Sequence, residues 1–329
     1  MTGVPIRVSY QSRVAYVLAR TLVKPVLTYW PMSERWLRAA LVIELAAGRL
    51  PRPRRTEIEP VPFDGFAAEW VRAEDRTDDG AVLYFHGGAF LFCGLNSHRA
   101  AVSMISAASR LPALQVGYRQ LPHARLDGSV ADCLTAYRWL LEQGYPPDRV
   151  VFAGDSAGGY LAYSTALAAA DAGLPMPGGI VAVSPWLDLD PSTKLADRRQ
   201  LRRDGYIPGR KLTRLVELCT GGAPLDRMLS PVNRELAALP PSLIIVAESE
   251  VLRVDAELMA ARLAAAGADC ELQVWPGQVH AFPSLAVLPE SRAAIREIGR
   301  FVRGALARSE VSTSDSSTVV AESDVDMTA

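Results

Sequence analysis

Val150-Val151-Phe152-Ala153-Gly154-Asp155-Ser156-Ala157-Gly158-Gly159 runs from an apolar stretch into a glycine-flanked serine and on into the apolar segment Tyr160 to Ala170. The pattern predicts a buried strand, a tight turn and a helix in immediate succession. Such a turn holds the serine in a strained backbone conformation, and a Cβ two residues to either side would collide with the neighbouring strand and helix. The serine hydroxyl is thereby lifted above the sheet, the elbow geometry of a serine nucleophile.

A second glycine motif lies upstream, where Val82-Leu83-Tyr84-Phe85 leads into His86-Gly87-Gly88-Ala89-Phe90. Short apolar runs continue the pattern at Leu114 to Gly117, Ile180 to Ser184, Leu243 to Ala247 and Cys270 to Trp275. Helices are expected between them, near Ser97 to Arg110, Asp127 to Gln143, Ala157 to Asp171, Asp255 to Ala266 and Glu290 to Arg308. Thr56 to Phe63 and Phe66 to Ala73 alternate and read as an antiparallel hairpin ahead of them. Buried strands alternating with helices predict an α/β fold with a mostly parallel sheet covered on both faces. Ligands in such sheets bind outside the carboxyl ends of the strands, where both glycine motifs lie.

Two segments fall outside this alternation. Arg13 to Leu22 and Ser33 to Ala47 carry apolar residues at helical spacing, and Pro185 to Pro241 contains no strand, only two or three short helices. An insertion of that length in a compact domain needs a purpose, and with the N-terminal helices it would form a lid over the strand ends. The expected organisation is a helical cap segment at 1–50 and a catalytic domain at 51–308 with a cap-contributing insertion at 186–240. An unstructured tail is expected at 309–329, which is rich in Ser, Thr, Asp and Glu.

The 329 residues carry 35 Lys and Arg against 36 Asp and Glu, a net charge of -1, and with the cations spread along the chain no nucleic-acid partner is expected. Cys93, Cys133, Cys219 and Cys270 are scattered with no C-x-x-C pair, so neither a zinc site nor a disulfide framework is expected, and a reducing, cytoplasmic setting fits. No secretory leader is recognised at the N-terminus, and no stretch is long and apolar enough to span a bilayer.

A serine hydroxyl needs a base, and the base needs a carboxylate to orient it. Of four histidines, His86 sits in the glycine motif, His98 at a helix start and His123 in an upstream loop. His280 follows a strand at its carboxyl end, after the serine, and is the expected base. In the chain order serine, acid, histidine, the acid comes from the loop after Leu243 to Ala247. Glu248, Glu250 and Asp255 are available; Glu250 is best placed, and Asp255 reads equally well as a charge stabilising a helix N-terminus. Backbone amides of Gly87, Gly88 and Ala157 are the expected donors to an oxyanion. Asp155 is either a carboxylate holding the loops together or another helix-start charge. Phe90, Leu91, Phe92, Trp186, Tyr29, Trp30 and Trp36 are candidates for an acyl pocket, with Phe90 and Trp186 foremost.

Together these motifs resemble the bacterial hormone-sensitive-lipase-like esterases of the α/β-hydrolase superfamily. Tyr118-Arg119 with Leu121-Pro122 resembles that family's Y-R-L-A-P segment, Ala136-Tyr137-Arg138-Trp139-Leu140 its A-Y-x-W-L helix, Ser184-Pro185-Trp186-Leu187-Asp188-Leu189 its S-P-W-x-D-L, and His280-Ala281-Phe282 its H-G-F or H-A-F. The likeness runs from about residue 56 to 303. It implies an eight-stranded α/β-hydrolase fold, a triad of Ser156, an acid and His280, and a cap built from the N-terminal helices. It also implies cofactor-independent hydrolysis of short- to medium-chain acyl esters. The family's usual D-P-L acid segment reads Glu250-Val251-Leu252 here. Gly117 replaces an Asp before Tyr-Arg, and His123 stands alone where Glu-His is usual; both departures lie away from the triad and imply altered loop packing. The expected partner is a small acyl ester, with no nucleic acid, no metal and no integral membrane segment, and with homodimer formation left open. An amidase or other acyl hydrolase, and a ligand-binding protein on an inactive hydrolase scaffold, are the alternative functions.

Overall fold

The computed structural model describes residues 8–33, 42, 44–49 and 53–323, with side chains through Arg308. Helix α1 (Tyr10–Leu18) continues through a single π turn (Ala19–Val23) into α2 (Lys24–Tyr29). The expected helix from Ser33 lies mostly outside the described residues, although 44–47 are helical.

The hairpin of β1 (Thr56–Pro62) and β2 (Ala67–Ala73) opens an eight-stranded sheet. Next come β3 (Ala81–Phe85), α3 (Leu95–Ser109), β4 (Ala113–Gly117), α4 (Leu126–Glu142), β5 (Val150–Asp155), α5 (Ala157–Asp171) and β6 (Gly179–Val183). The insertion carries α6 (Ser192–Ala196), α7 (Arg198–Arg203) and α8 (Leu212–Thr220). The chain closes with β7 (Ser242–Ala247), α9 (Arg253–Ala265), β8 (Cys270–Trp275) and α10 (Pro289–Ser323). Strand order is β1-β2-β4-β3-β5-β6-β7-β8, with β1, β2 and β4 paired antiparallel in turn and β3 to β8 parallel.

Strand parity divides the core into two layers. Leu83, Phe85, Val150 and Phe152 pack with Tyr137 of α4, Leu161 of α5 and Met259 of α9 on one face. Val82, Tyr84, Val151 and Ala153 pack with Ile105 of α3 and Ile298 and Phe301 of α10 on the other. Every residue of β5 is buried, which is why the sequence shows an unbroken apolar run there instead of alternation. All four cysteines are free thiols. Among the described residues no helix is long and apolar enough to cross a membrane.

The tail departs from its sequence reading. Helix α10 continues through Ser323, where an unstructured chain was expected from Ser309. No glycine or proline follows Gly304 to stop it. Residues 324–329 lie outside the described residues.

Candidate active site

Strand β5 ends at Asp155, and Ser156 follows with φ of 54°, its amide donating to the Val183 carbonyl at 2.8 Å. Positive φ in a residue with a side chain is the strain expected of this turn. The chain tolerates it because there is no room to relax: a Cβ on Gly158 would overlap the Phe85 carbonyl, and one on Gly154 would overlap Gly158. The Ser156 side chain therefore stands over the carboxyl end of the sheet.

His280, in the loop after β8, places Nε2 2.9 Å from Ser156 Oγ. Its Nδ1 lies 2.7 Å from Glu250 Oε2. The carboxylate only accepts, so Nδ1 carries the proton and Nε2 is left to accept from the serine. The Ala247 amide holds the other Glu250 oxygen at 3.1 Å, and the Ala281 amide donates to Ser184 Oγ at 3.0 Å, fixing the histidine loop against β6. Burial disfavours charge on His280, but the Glu250 hydrogen bond and charge, helped by Asp204 and Asp155, outweigh it and raise the imidazole above its ordinary pKa. A hydroxyl, an imidazole and a carboxylate linked in this order can move a proton from oxygen to ring nitrogen while the carboxylate steadies the resulting charge.

Asp255 lies elsewhere. It accepts from the Leu187 and Asp188 amides at 3.0 and 2.9 Å and pairs with Lys194 Nζ at 2.7 Å, both side chains being almost fully buried. Its work is to hold the insertion against α9. Glu248 pairs with Arg203 near the surface.

The glycine loop requires a correction. The Gly87 amide, expected to face an oxyanion, donates instead to Asp155 Oδ1 at 3.0 Å. Asp155 also accepts from Tyr84 OH at 2.7 Å and faces His98 Nε2 at 3.3 Å. Burial alone would raise the Asp155 pKa, but the charge and hydrogen bond of His98 and the Tyr84 hydroxyl bring it down to about 2. Asp155 thus ties the first loop to the serine turn. Among the described residues the amides of Gly88, Ala89 and Ala157, which border the Ser156 hydroxyl, meet no protein acceptor. The loop turns so sharply after Gly88, with φ of 118° there and 55° at Ala89, that a Cβ on Gly88 would overlap the Phe92 carbonyl. Because the amide direction depends on that path, glycine content alone pointed one residue too early.

A cavity of about 340 Å³ opens above Ser156, lined by apolar groups from both the sheet ends and the roof. Trp186, Leu91, Phe92 and Trp30 line it as expected. Phe90 does not: it is buried in the core against Tyr160 and Trp186, with ring centroids 5.4 and 6.2 Å away. Its φ of 60° turns the side chain away from the opening that its neighbours face. Tyr29 is exposed, and Trp36 lies outside the described residues. The insertion contributes Tyr206, Ile207, Leu212 and Leu215, which sequence reasoning missed; only their place in a strandless insertion hinted at them. Tyr206 sits with its ring centroid 5.6 Å from that of His280. Among the described residues no group of three or more His, Cys, Asp or Glu is placed to hold a metal ion.

Comparison with known proteins agrees with this architecture. Residues 82–284 match the family model described as alpha/beta hydrolase fold. Carboxylesterase/phospholipase LipF of Mycobacterium tuberculosis is 37% identical over 98% of this chain and 90% of its own length. Esterase LipU of the same organism is 40% identical over 80% and 92%. A crystal structure of the esterase EstE5 soaked with p-nitrophenyl butyrate superposes with a TM-score of 0.82 at 31% identity, covering 91% of this chain and all of that one. A crystal structure of an esterase from the bacterial hormone-sensitive lipase family superposes at 0.80 with 30% identity, covering 91% and 99%. The chain belongs to the α/β-hydrolase fold family, among the bacterial esterases related to hormone-sensitive lipase, and is an enzyme of the esterase type.

Proposed function

We propose that the protein hydrolyses short- to medium-chain carboxylic esters through a serine acyl-enzyme. The observation that carries this reading is the hydrogen-bonded chain from Ser156 through His280 to Glu250 at 2.9 and 2.7 Å, at the floor of an apolar cavity. Ser156 attacks the ester carbonyl as His280 takes its proton, and His280 returns that proton to the departing alcohol. Water then attacks the acyl carbonyl as His280 takes its proton, and His280 returns that proton to Ser156 Oγ as the carbon–oxygen bond to the serine breaks and the acid leaves. The negative oxygen of each tetrahedral intermediate is received by the amides of Gly88, Ala89 and Ala157, the last with the dipole of α5 behind it. Gly87 leaves the donor set because Asp155 holds its amide.

A cavity of this size and lining suits an acyl group of modest length. The test is hydrolysis of p-nitrophenyl esters from acetate to palmitate by wild type and Ser156→Ala. Turnover is expected to peak at short or medium chains and to fall by about 10⁴-fold or more in the variant with its fold intact. Turnover retained by Ser156→Ala would remove the mechanism.

A further inference from the structure

The roof of the cavity carries an apolar stripe on its outer side. Tyr10, Val14, Leu18, Leu22, Val26 and Tyr29 recur along α1 and α2 and are all exposed, Tyr10 at 79%, Leu22 at 60% and Tyr29 at 77%. The opposite side packs inward through Ser12, Ala19 and Lys24, whose ammonium donates to the Leu201 and Asp204 carbonyls. The π turn at Ala19–Val23 adds a residue there and keeps the stripe from winding round the helix. Exposed apolar surface of this extent and regularity marks a contact with something other than water.

The charge beside it is one-sided. Residues 1–33 contain Arg7, Arg13, Arg20 and Lys24 and no Asp or Glu. The neighbouring stretch 198–214 holds seven cations and one carboxylate, Asp204, which is buried and satisfied by the amides of Tyr206, Ile207 and Val251. Arg198, Arg199, Arg202 and Arg210 are exposed with no carboxylate partner among the described residues. The two stretches touch along their length: Arg20 donates to the Arg202 carbonyl at 2.8 Å, and the Arg210 guanidinium lies 4.9 Å from the centre of the Tyr29 ring. In a protein of net charge -1, Arg20, Lys24, Arg202 and Arg210 are thereby gathered on the roof.

We propose that this face docks on an anionic phospholipid bilayer, the apolar stripe lying in the headgroup boundary and the arginines resting on lipid phosphates. An amphipathic helix with an apolar face and flanking arginines is built for that plane. A second copy of the chain fits less well, because a twofold contact through this face would set cationic stretches against each other. Val26 belongs both to the stripe and to the cavity above Ser156, so the docked face adjoins the cavity opening.

The experiment is flotation of the full chain carrying Ser156→Ala, so that no lipid is consumed and the result does not depend on the esterase reading. Vesicles of phosphatidylcholine alone are compared with vesicles containing an equal part of phosphatidylglycerol. Binding is expected to the anionic vesicles and to be released by high salt. Adding R198E, R199E and R202E should weaken it roughly a hundredfold, at about fivefold per charge. V14S, L18S and L22S should also weaken it by at least about tenfold. Circular dichroism and melting temperature should be unchanged in both, since only exposed side chains are altered. Equal binding to neutral and anionic vesicles, binding to neither, or indifference to both sets of substitutions would overturn the proposal. So would a dimer that the serine substitutions dissociate in the absence of vesicle binding, which would assign the face to a second copy.

Discussion

Glu250 and Asp255 are both buried, yet their surroundings give them different work. Glu250 meets a histidine that must gain a proton during the proposed reaction, whereas Asp255 meets a lysine and two amides that remain as they are. Replacing Glu250 by Gln should lower kcat on p-nitrophenyl butyrate by about 10³–10⁴-fold, as loss of the orienting carboxylate does in serine hydrolases. Asp255→Asn should lower the melting temperature while leaving kcat of the folded fraction near wild type. Only neutral His280 accepts the serine proton, so hydrolysis rises with pH as the imidazole deprotonates. Because its pKa is raised chiefly by Glu250 against burial, the acid limb should turn above the ordinary histidine value of 6.5. In Glu250→Gln the inflection should move to lower pH. A rate–pH profile whose inflection is the same in both proteins would separate the carboxylate from this role.

Between elements, the decisive bond is Lys194 to Asp255, a helix of the insertion joined to the first turn of α9. Removing the lysine leaves a buried carboxylate with two amides and no counter-charge. Lys194→Met should cost about 3–5 kcal/mol at neutral pH, the usual result of breaking one half of a buried pair. Burial already pushes the Asp255 carboxyl up to about 6 against the pull of Lys194, so without the lysine it should rise further. A raised folded-state pKa in an acid means that the folded state holds its proton more tightly. The deficit should therefore grow as pH climbs through that pKa and shrink in acid. Urea unfolding across this range measures it. A double variant, Lys194→Met with Asp255→Leu, should recover much of the loss; continued instability would mean that the packing of α6, not the charge, fails.

At the scale of the whole molecule, the cavity exists only because two distant parts of the chain meet. Its floor is the sheet edge with Ser156 and His280, and its roof combines α2 with the segment from Tyr206 to Leu215. Lys211 Nζ donates to the Trp30 carbonyl at 2.9 Å, joining the two halves of that roof. Leu215 faces the cavity from above, so Leu215→Trp should shorten the preferred acyl chain without reaching Ser156. The optimum along the p-nitrophenyl ester series should move to shorter chains by about two carbons, because a close-packed wall leaves no spare space for the larger ring and the longer chain together. An unchanged profile would place the acyl group on another wall.

What could be read in the sequence was whatever local covalent order imposes. Strand β5 and helix α5 follow from an unbroken apolar run and its glycine-flanked turn, because burial on both faces and the clash of any Cβ at Gly158 leave no other residues acceptable there. Chain order then brought attention to His280 and Glu250, since parallel strands deliver their following loops to the same edge. Directions in space were not legible. Which amide of Gly87, Gly88 and Ala89 stays free depends on where Asp155 comes to rest, 68 residues from Gly87 along the chain. Whether Phe90 or its neighbours enter the cavity depends on a positive φ that the sequence does not announce. The separation of Asp255 from Glu250, and the meeting of α2 with the insertion, came from packing between segments far apart in the chain. Such contacts are set by the shape and burial of the assembled layers, and no local pattern encodes them.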